Sequence, residues 1–244
     1  MAVDTNTRKK EISAKAEALA LKLGKAFRVA VLEPHLHTSE VVEEPEINKR
    51  TKVGKAEWAE FQEHHAGMAI LKKSETDMVQ AMADAVHNHP IASILVDPDG
   101  GPCEVSGFAL DPLSNRLIRF RPDKWNTDHN IVVDLKSALD ASYTGFGKGA
   151  TDHRYGVSVH MTTLGMRLSG HPIDDYVFLA VEKEPPYGIG IYELDSKALE
   201  FGKYCYERDM AVYARCMDSG EWPCYPPEIR ELNLPGWAYR MKVL

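Results

Sequence analysis

The turn cluster Asp97-Pro98-Asp99-Gly100-Gly101-Pro102 divides the chain into two halves with different hydrophobic periods. Proline and glycine at this density end any helix or strand. Upstream the pattern is helical. Ile12, Ala16, Leu19 and Leu23 recur at helical spacing over residues 7–23, and Gly24 is the predicted stop. Residues 27–32 form a short apolar run ending at Glu33-Pro34, and residues 34–45 read as a loop. Two further helices are predicted over 56–65 and 74–88, the second with Ser74 as N-cap and Glu75 and Asp77 in its first turn. His89-Pro90 breaks it before the short apolar segment 91–96.

Downstream, residues 103–110, 117–121 and 131–135 are short runs rich in β-branched and apolar residues. Turn chemistry at Asp111-Pro112 and Asn126-Thr127-Asp128 separates them, which predicts a three-stranded antiparallel meander. Residues 137–167 are mixed and mostly helical, with a break expected at 145–149, and strands are predicted at 176–182 and 187–194 around Pro185-Pro186. A last helix should start at Asp195 as N-cap and end at Ser219-Gly220, followed by a tail rich in proline and aromatic residues. Helices, a sheet, then helices and strands again predict an α/β or α+β fold with a mixed sheet. We expect one domain over 1–244, with a helical part at about 1–96, a sheet core at about 103–194, and a C-terminal helix and tail at 195–244.

With 44% hydrophobic and 27% charged residues the chain is neither disordered nor fibrous. Its 29 basic residues against 36 acidic ones give a net charge of -7, which argues against a purely electrostatic DNA binder but not against an enzyme that holds DNA in a local groove. No apolar run reaches 18 residues, and the first ten residues carry no secretory pattern, so a cytoplasmic protein without a membrane span is expected. The four cysteines, Cys103, Cys205, Cys216 and Cys224, contain no C-x-x-C pair and read as reduced thiols.

The stretch that carries chemistry is Arg121-Pro122-Asp123 followed by Asp134-Leu135-Lys136. If 117–121 and 131–136 are adjacent strands, Asp123 sits at the end of the first, and Asp134 and Lys136 share a face of the second because strand side chains alternate. Glu104 is placed to add a third carboxylate from a neighbouring strand. Mg²⁺ is held by one or two carboxylates with water and substrate phosphate. A lysine beside it stabilises charge that develops on a phosphodiester. The competing reading is a strand-edge salt bridge. Arg50, Lys52 and Lys55 either contact DNA phosphates or form a solvated loop cluster, and Arg119 and Arg121 are further candidates for DNA contact. His64, His65, His87 and His89 read as helix-surface and helix-end residues. Gly145-Phe-Gly-Lys-Gly149 lacks the spacing of a phosphate loop. Trp222, Tyr225 and Trp237 in the tail either stack on bases or cover a core or an oligomer interface.

The order P-D, ten residues, D-L-K resembles the signature of the PD-(D/E)xK nucleases. Further segments narrow the resemblance to the exonuclease VIII (RecE) type of phage recombination exonuclease: residues 50–56, 82–90, Glu104-Val105-Ser106, 178–187 and 219–223 with Tyr225. The resemblance implies a restriction-endonuclease-like core, a mixed sheet flanked by helices. It also implies a Mg²⁺-dependent exonuclease, with Mn²⁺ as a substitute, that degrades linear duplex DNA 5′-to-3′ and leaves single strands for an annealing protein. A ring-shaped homo-oligomer and a phage or prophage origin in a bacterial host follow from it too. Asp123 and Asp134 would bind metal, Lys136 would assist catalysis, and Glu104 would be an accessory metal or structural carboxylate. Three positions depart from the family pattern. Arg28 stands where the family carries histidine, and Ser158 and Thr162 stand where it carries glutamine and tyrosine after Arg154-Tyr155. These departures keep open a catalytically degenerate DNA-binding or recombination-partner protein on the same fold.

Overall fold

A computed structural model describes residues 5–236. Helix α1 (Thr5–Leu32) continues through Gly24, where the sequence predicts a stop. A mid-helix glycine costs about 1 kcal/mol relative to alanine. The turns after it bury Ala26, Phe27, Val29, Val31 and Leu32, and burying one large apolar side chain contributes about 1.5–3 kcal/mol. Burial wins, and the run at 27–32 is the buried end of this helix. Residues 16–22 are exposed, and the side chain of Ile12 lies outside the described residues.

The expected loop at 34–45 holds a turn of 3₁₀ helix (Pro34–Leu36), α2 (His37–Glu40) and β1 (Val41–Glu43). Next come α3 (Lys52–His64) and β2 (Ala69–Leu71), which pairs parallel with β1. Thr51 caps α3 by accepting the Gly54 N–H at 3.0 Å, so the basic cluster at 50–55 opens a helix instead of lying in a loop. Helix α4 (Lys73–Asn88) is capped two residues before the expected position. Lys72, not Ser74, is the N-cap, and its N–H donates to the Glu75 carboxylate at 2.8 Å. A single turn, α5 (Ala92–Leu95), precedes the Pro-Gly cluster.

The expected meander is replaced by two separate pairings. Strands β3 (Gly107–Leu110) and β4 (Leu117–Phe120) form an antiparallel ribbon of their own, and the strand beside β6 (Ile131–Ala138) is β5 (Lys124–Asn126), read from the sequence as part of a turn. Pro122 has no N–H to give a ladder, so the β4 strand ends before it and the chain resumes pairing as β5. Asn126 is buried in that strand, where its side-chain amide donates to the Ile94 carbonyl at 3.0 Å and its oxygen accepts the His129 N–H at 3.1 Å.

Helices α6 (Tyr143–Asp152) and α7 (Tyr155–Leu168), strands β7 (Asp175–Glu182) and β8 (Ile189–Tyr192), and helix α8 (Ser196–Ser219) complete the chain. Helix α6 runs unbroken across Gly145, Gly147 and Gly149, with Ser142 as its cap, so the break expected there is absent. Helix α8 starts and stops as the sequence predicts. Asp195 accepts the Ala198 N–H at 2.8 Å, and Gly220 ends the helix with φ +72°. The tail begins beyond it, and Trp237 lies outside the described residues. Among the described residues, no helix is long and apolar enough to cross a membrane.

The central sheet has the order β5-β6-β7-β8, with β6 and β7 parallel and both outer pairs antiparallel. Val133, Leu135, Val177, Leu179 and Val181 face one core with the buried end of α1 and with Val79, Met82 and Val86 of α4. Val132 and Phe178 face the opposite side, toward α6, α7 and α8. Helices thus cover both faces of a mixed sheet. A β-carbon on Gly202 would lie 2.3 Å from the Gly156 carbonyl oxygen, so this glycine pair lets α7 and α8 approach closely.

Candidate active site

The alternation of β6 positions the chemistry. Val133 and Leu135 enter the core on the α1 and α4 side, so Asp134 and Lys136 project to the α7 side. The β5–β6 register pairs Lys124 with Val133, which brings Asp123, the residue before β5, beside Asp134. The Asp123 Oδ2 accepts the Leu135 N–H at 2.9 Å. One oxygen of Asp134 is ion-paired with the Lys136 ammonium, and the other accepts the Tyr176 hydroxyl at 2.9 Å. The ammonium also lies 5.3 Å from the centre of the Tyr155 ring. Asp123, Asp134 and Lys136 line one cavity of about 260 Å³. Ser158 and Thr162 of α7 line it with Tyr176, and Arg119 and Arg121 close its β4 side.

Burial and the neighbouring Asp134 carboxylate push the Asp123 carboxyl up to about 8, against the opposing pull of Lys136 and the Leu135 N–H. Burial draws the Lys136 ammonium down, but the charges of Asp134 and Asp123 outweigh it and hold the group above the usual lysine range. Burial and the Asp134 charge push Tyr176 well above the usual phenol range, so it stays a hydrogen-bond donor. Two carboxylates, Asp134 buried and Asp123 half-buried, facing one ammonium leave an excess negative charge, which a proton on Asp123 or a cation relieves. The pair therefore fits a hard divalent cation, which prefers oxygen ligands. Among the described residues, no group of three or more His, Cys, Asp or Glu converges as a ligand set.

Glu104 is not placed as a third ligand. Its two oxygens are ion-paired with Arg28 and Arg121, and it does not line the cavity. Its contact with the Asp123 segment is through the backbone, its N–H donating to the Asp123 carbonyl at 3.1 Å. A carboxylate paired with two guanidiniums has little charge left to offer a metal, and this pairing is the structural role of the two the resemblance implies. Arg28, one of the three family departures, is thus a partner of Glu104, and Ser158 and Thr162, the other two, do reach the cavity wall. Arg50, Lys52 and Lys55 are exposed around the start of α3 and do not line the cavity. Neither Tyr176 nor Tyr155 is marked by the motif spacing of the sequence. A tyrosine inside the otherwise apolar stretch 176–181 was the available signal for the first.

A mixed sheet flanked by helices, with two aspartates and a lysine gathered at one cavity, defines a core of the PD-(D/E)xK type. The family model for the PDDEXK-like domain of unknown function DUF3799 matches residues 2–232, and the chain belongs to that family. The match supports the PD-(D/E)xK resemblance without singling out the RecE type. Among solved structures, the chain is similar to a protein titled "Putative exonuclease" from Eubacterium rectale, at 11% identity and a TM-score of 0.49 over 78% of this chain and 75% of that one. No curated protein matches the sequence.

Proposed function

We propose that the protein is a Mg²⁺-dependent exonuclease that hydrolyses linear double-stranded DNA from its ends, 5′-to-3′, and yields single strands for homologous recombination. The observation that carries this reading is the meeting of Asp123, Asp134 and Lys136 at one cavity. Asp123 and Asp134 would hold Mg²⁺ or Mn²⁺. When bound, such an ion supplies Lewis-acid polarisation of the phosphate and a water of lowered pKa. Lys136 contributes a half-buried positive charge beside the attacked phosphate, where a preorganised charge is most effective. Tyr176, kept protonated, fixes the direction of the Asp134 carboxylate. Arg119 and Arg121 supply positive charge at the cavity for flanking phosphates. A net charge of -7 is compatible with this, because only the inner path needs to be basic. A ring-shaped homo-oligomer, an annealing partner and a cytoplasmic, phage-derived setting rest on the sequence resemblance alone. The test is digestion of linear against circular duplex DNA with Mg²⁺ or Mn²⁺, using wild type and Lys136→Ala. Loss of the linear substrate only, and only with wild type, is expected. Intact linear DNA under conditions where a related exonuclease digests it sinks the reading.

A second reading, a DNA-binding protein on the same fold without cleavage, is favoured by a specific arrangement. Both oxygens of Asp134 are engaged within the chain, and Arg28 occupies Glu104. Metal-independent DNA binding, unchanged in Asp134→Ala and without any cleavage by wild type, would select it.

A further inference from the structure

We infer that the outer face of the β3–β4 ribbon is a track for an unpaired nucleic-acid strand beside the carboxylate cavity, with Phe108 as a stacking platform and Arg119 as a phosphate contact. This inference rests on reading that cavity as a phosphodiester site. The ribbon turns Ala109, Ile118 and Phe120 into the core. Alternation then places Phe108, Leu110, Leu117 and Arg119 together on the outside. Phe108 is 57% exposed and Leu117 69% exposed, so the face is uncovered in the single chain. The register sets Phe108 directly opposite Arg119. Directly opposed residues have β-carbons within about 4.5–5.5 Å, so the two side chains leave the same face side by side.

Arg119 lines the cavity, and among the described residues no hydrogen bond or ion pair engages its guanidinium. Two residues on, Arg121 also lines the cavity but is held by Glu104. The free guanidinium therefore carries positive charge at the junction between the apolar face and the cavity. The ribbon is firmly seated. A β-carbon on Gly107 or Gly165 would come within 2.1 or 2.2 Å of the Phe120 ring, so both glycines are needed to lay that ring between ribbon and α7.

An exposed aromatic ring beside an unpaired guanidinium matches a base and its phosphate, the combination that binds single strands without reading sequence. A duplex hides its base faces, so the ring selects the unpaired strand. A purely apolar protein partner would leave the Arg119 charge unmatched.

The experiment is fluorescence anisotropy of a labelled oligothymidylate with the full chain in chelator, which prevents cleavage, across a salt series. Phe108→Ala and Phe108→Leu should each weaken binding about five- to a hundredfold, and Phe108→Trp should restore it. Arg119→Gln should lower the slope of log affinity against log salt by about 0.7. Equal binding by wild type and Phe108→Leu overturns the track, as does a change of oligomeric state in Phe108→Ala by sedimentation, which would make the face a protein interface. The two readings separate cleanly. Wild type that cuts linear duplex while Phe108 variants bind normally removes only the track. A stacking-dependent affinity in a chain that never cuts removes only the nuclease. Wild type that neither binds nor cuts DNA removes both.

Discussion

Replacing Asp123 by asparagine tests the electrostatic account of the cavity directly. The Asp123 carboxyl, ordinarily 3.8, is pushed up to about 8 by burial and by Asp134. A carboxyl held that far above its ordinary value disfavours the ionised folded chain by on the order of a few kcal/mol. An acid raised on folding keeps its proton in the folded chain while the unfolded chain releases it near pH 4. The folded state therefore loses stability as pH rises from about 4 to about 8, and the whole penalty stands above pH 8. Asparagine has nearly the same shape, carries no charge, and still accepts the Leu135 N–H. In chelator, Asp123→Asn should melt roughly 10 °C above wild type at pH 8, and the gap should close toward pH 4. Thermal unfolding followed by circular dichroism at several pH values measures it. Saturating Mg²⁺ should narrow the gap from the other side, adding about 2.7 kcal/mol to wild type at a hundred times its Kd and less to the variant. A variant no more stable than wild type at pH 8, or a gap that does not change with pH, refutes the reasoning.

Three other substitutions probe the rest of the site. Lys136→Ala should lower the rate of metal-dependent cleavage by about 10²–10³ while DNA affinity changes only a few-fold, read by single-turnover assays and anisotropy. Glu104→Gln should destabilise the chain by about 1–3 kcal/mol in urea unfolding, less than a fully buried pair would because Arg121 is half exposed. It should leave Mn²⁺ affinity within twofold by calorimetry, and a tenfold drop would return Glu104 to the ligand set. Gly165→Ala places a β-carbon 2.2 Å from Phe120, and the overpacking should lower the melting temperature by roughly 2–10 °C. An unchanged melting temperature would mean that the ring moves aside freely.

What could be read from the residues depended on how far apart the deciding partners lie. Asp134 and Lys136 share a face through the two-residue period of a single strand, so their convergence was legible from spacing alone. The helix from Asp195 to Gly220 was equally legible, because its cap and its stop are local chemistry. The end of α1 was not, since Gly24 acts within one turn while the burial that overrides it comes from α4 and the sheet. Strand β5 was hidden for the same reason. Asn126 resembles a turn residue until its amide finds the carbonyl of Ile94.

The sequence by itself determined a mixed helix-and-sheet fold and the trio Asp123, Asp134 and Lys136, because these follow from short-range periodicity and a motif. The tertiary structure decided the company that trio keeps. It brought Tyr176, 42 residues away, onto Asp134, and set Glu104 as the shared ion-pair partner of Arg28 and Arg121. Which cation a carboxylate meets depends on how sheet and helices stack, and stacking is a property of the whole chain.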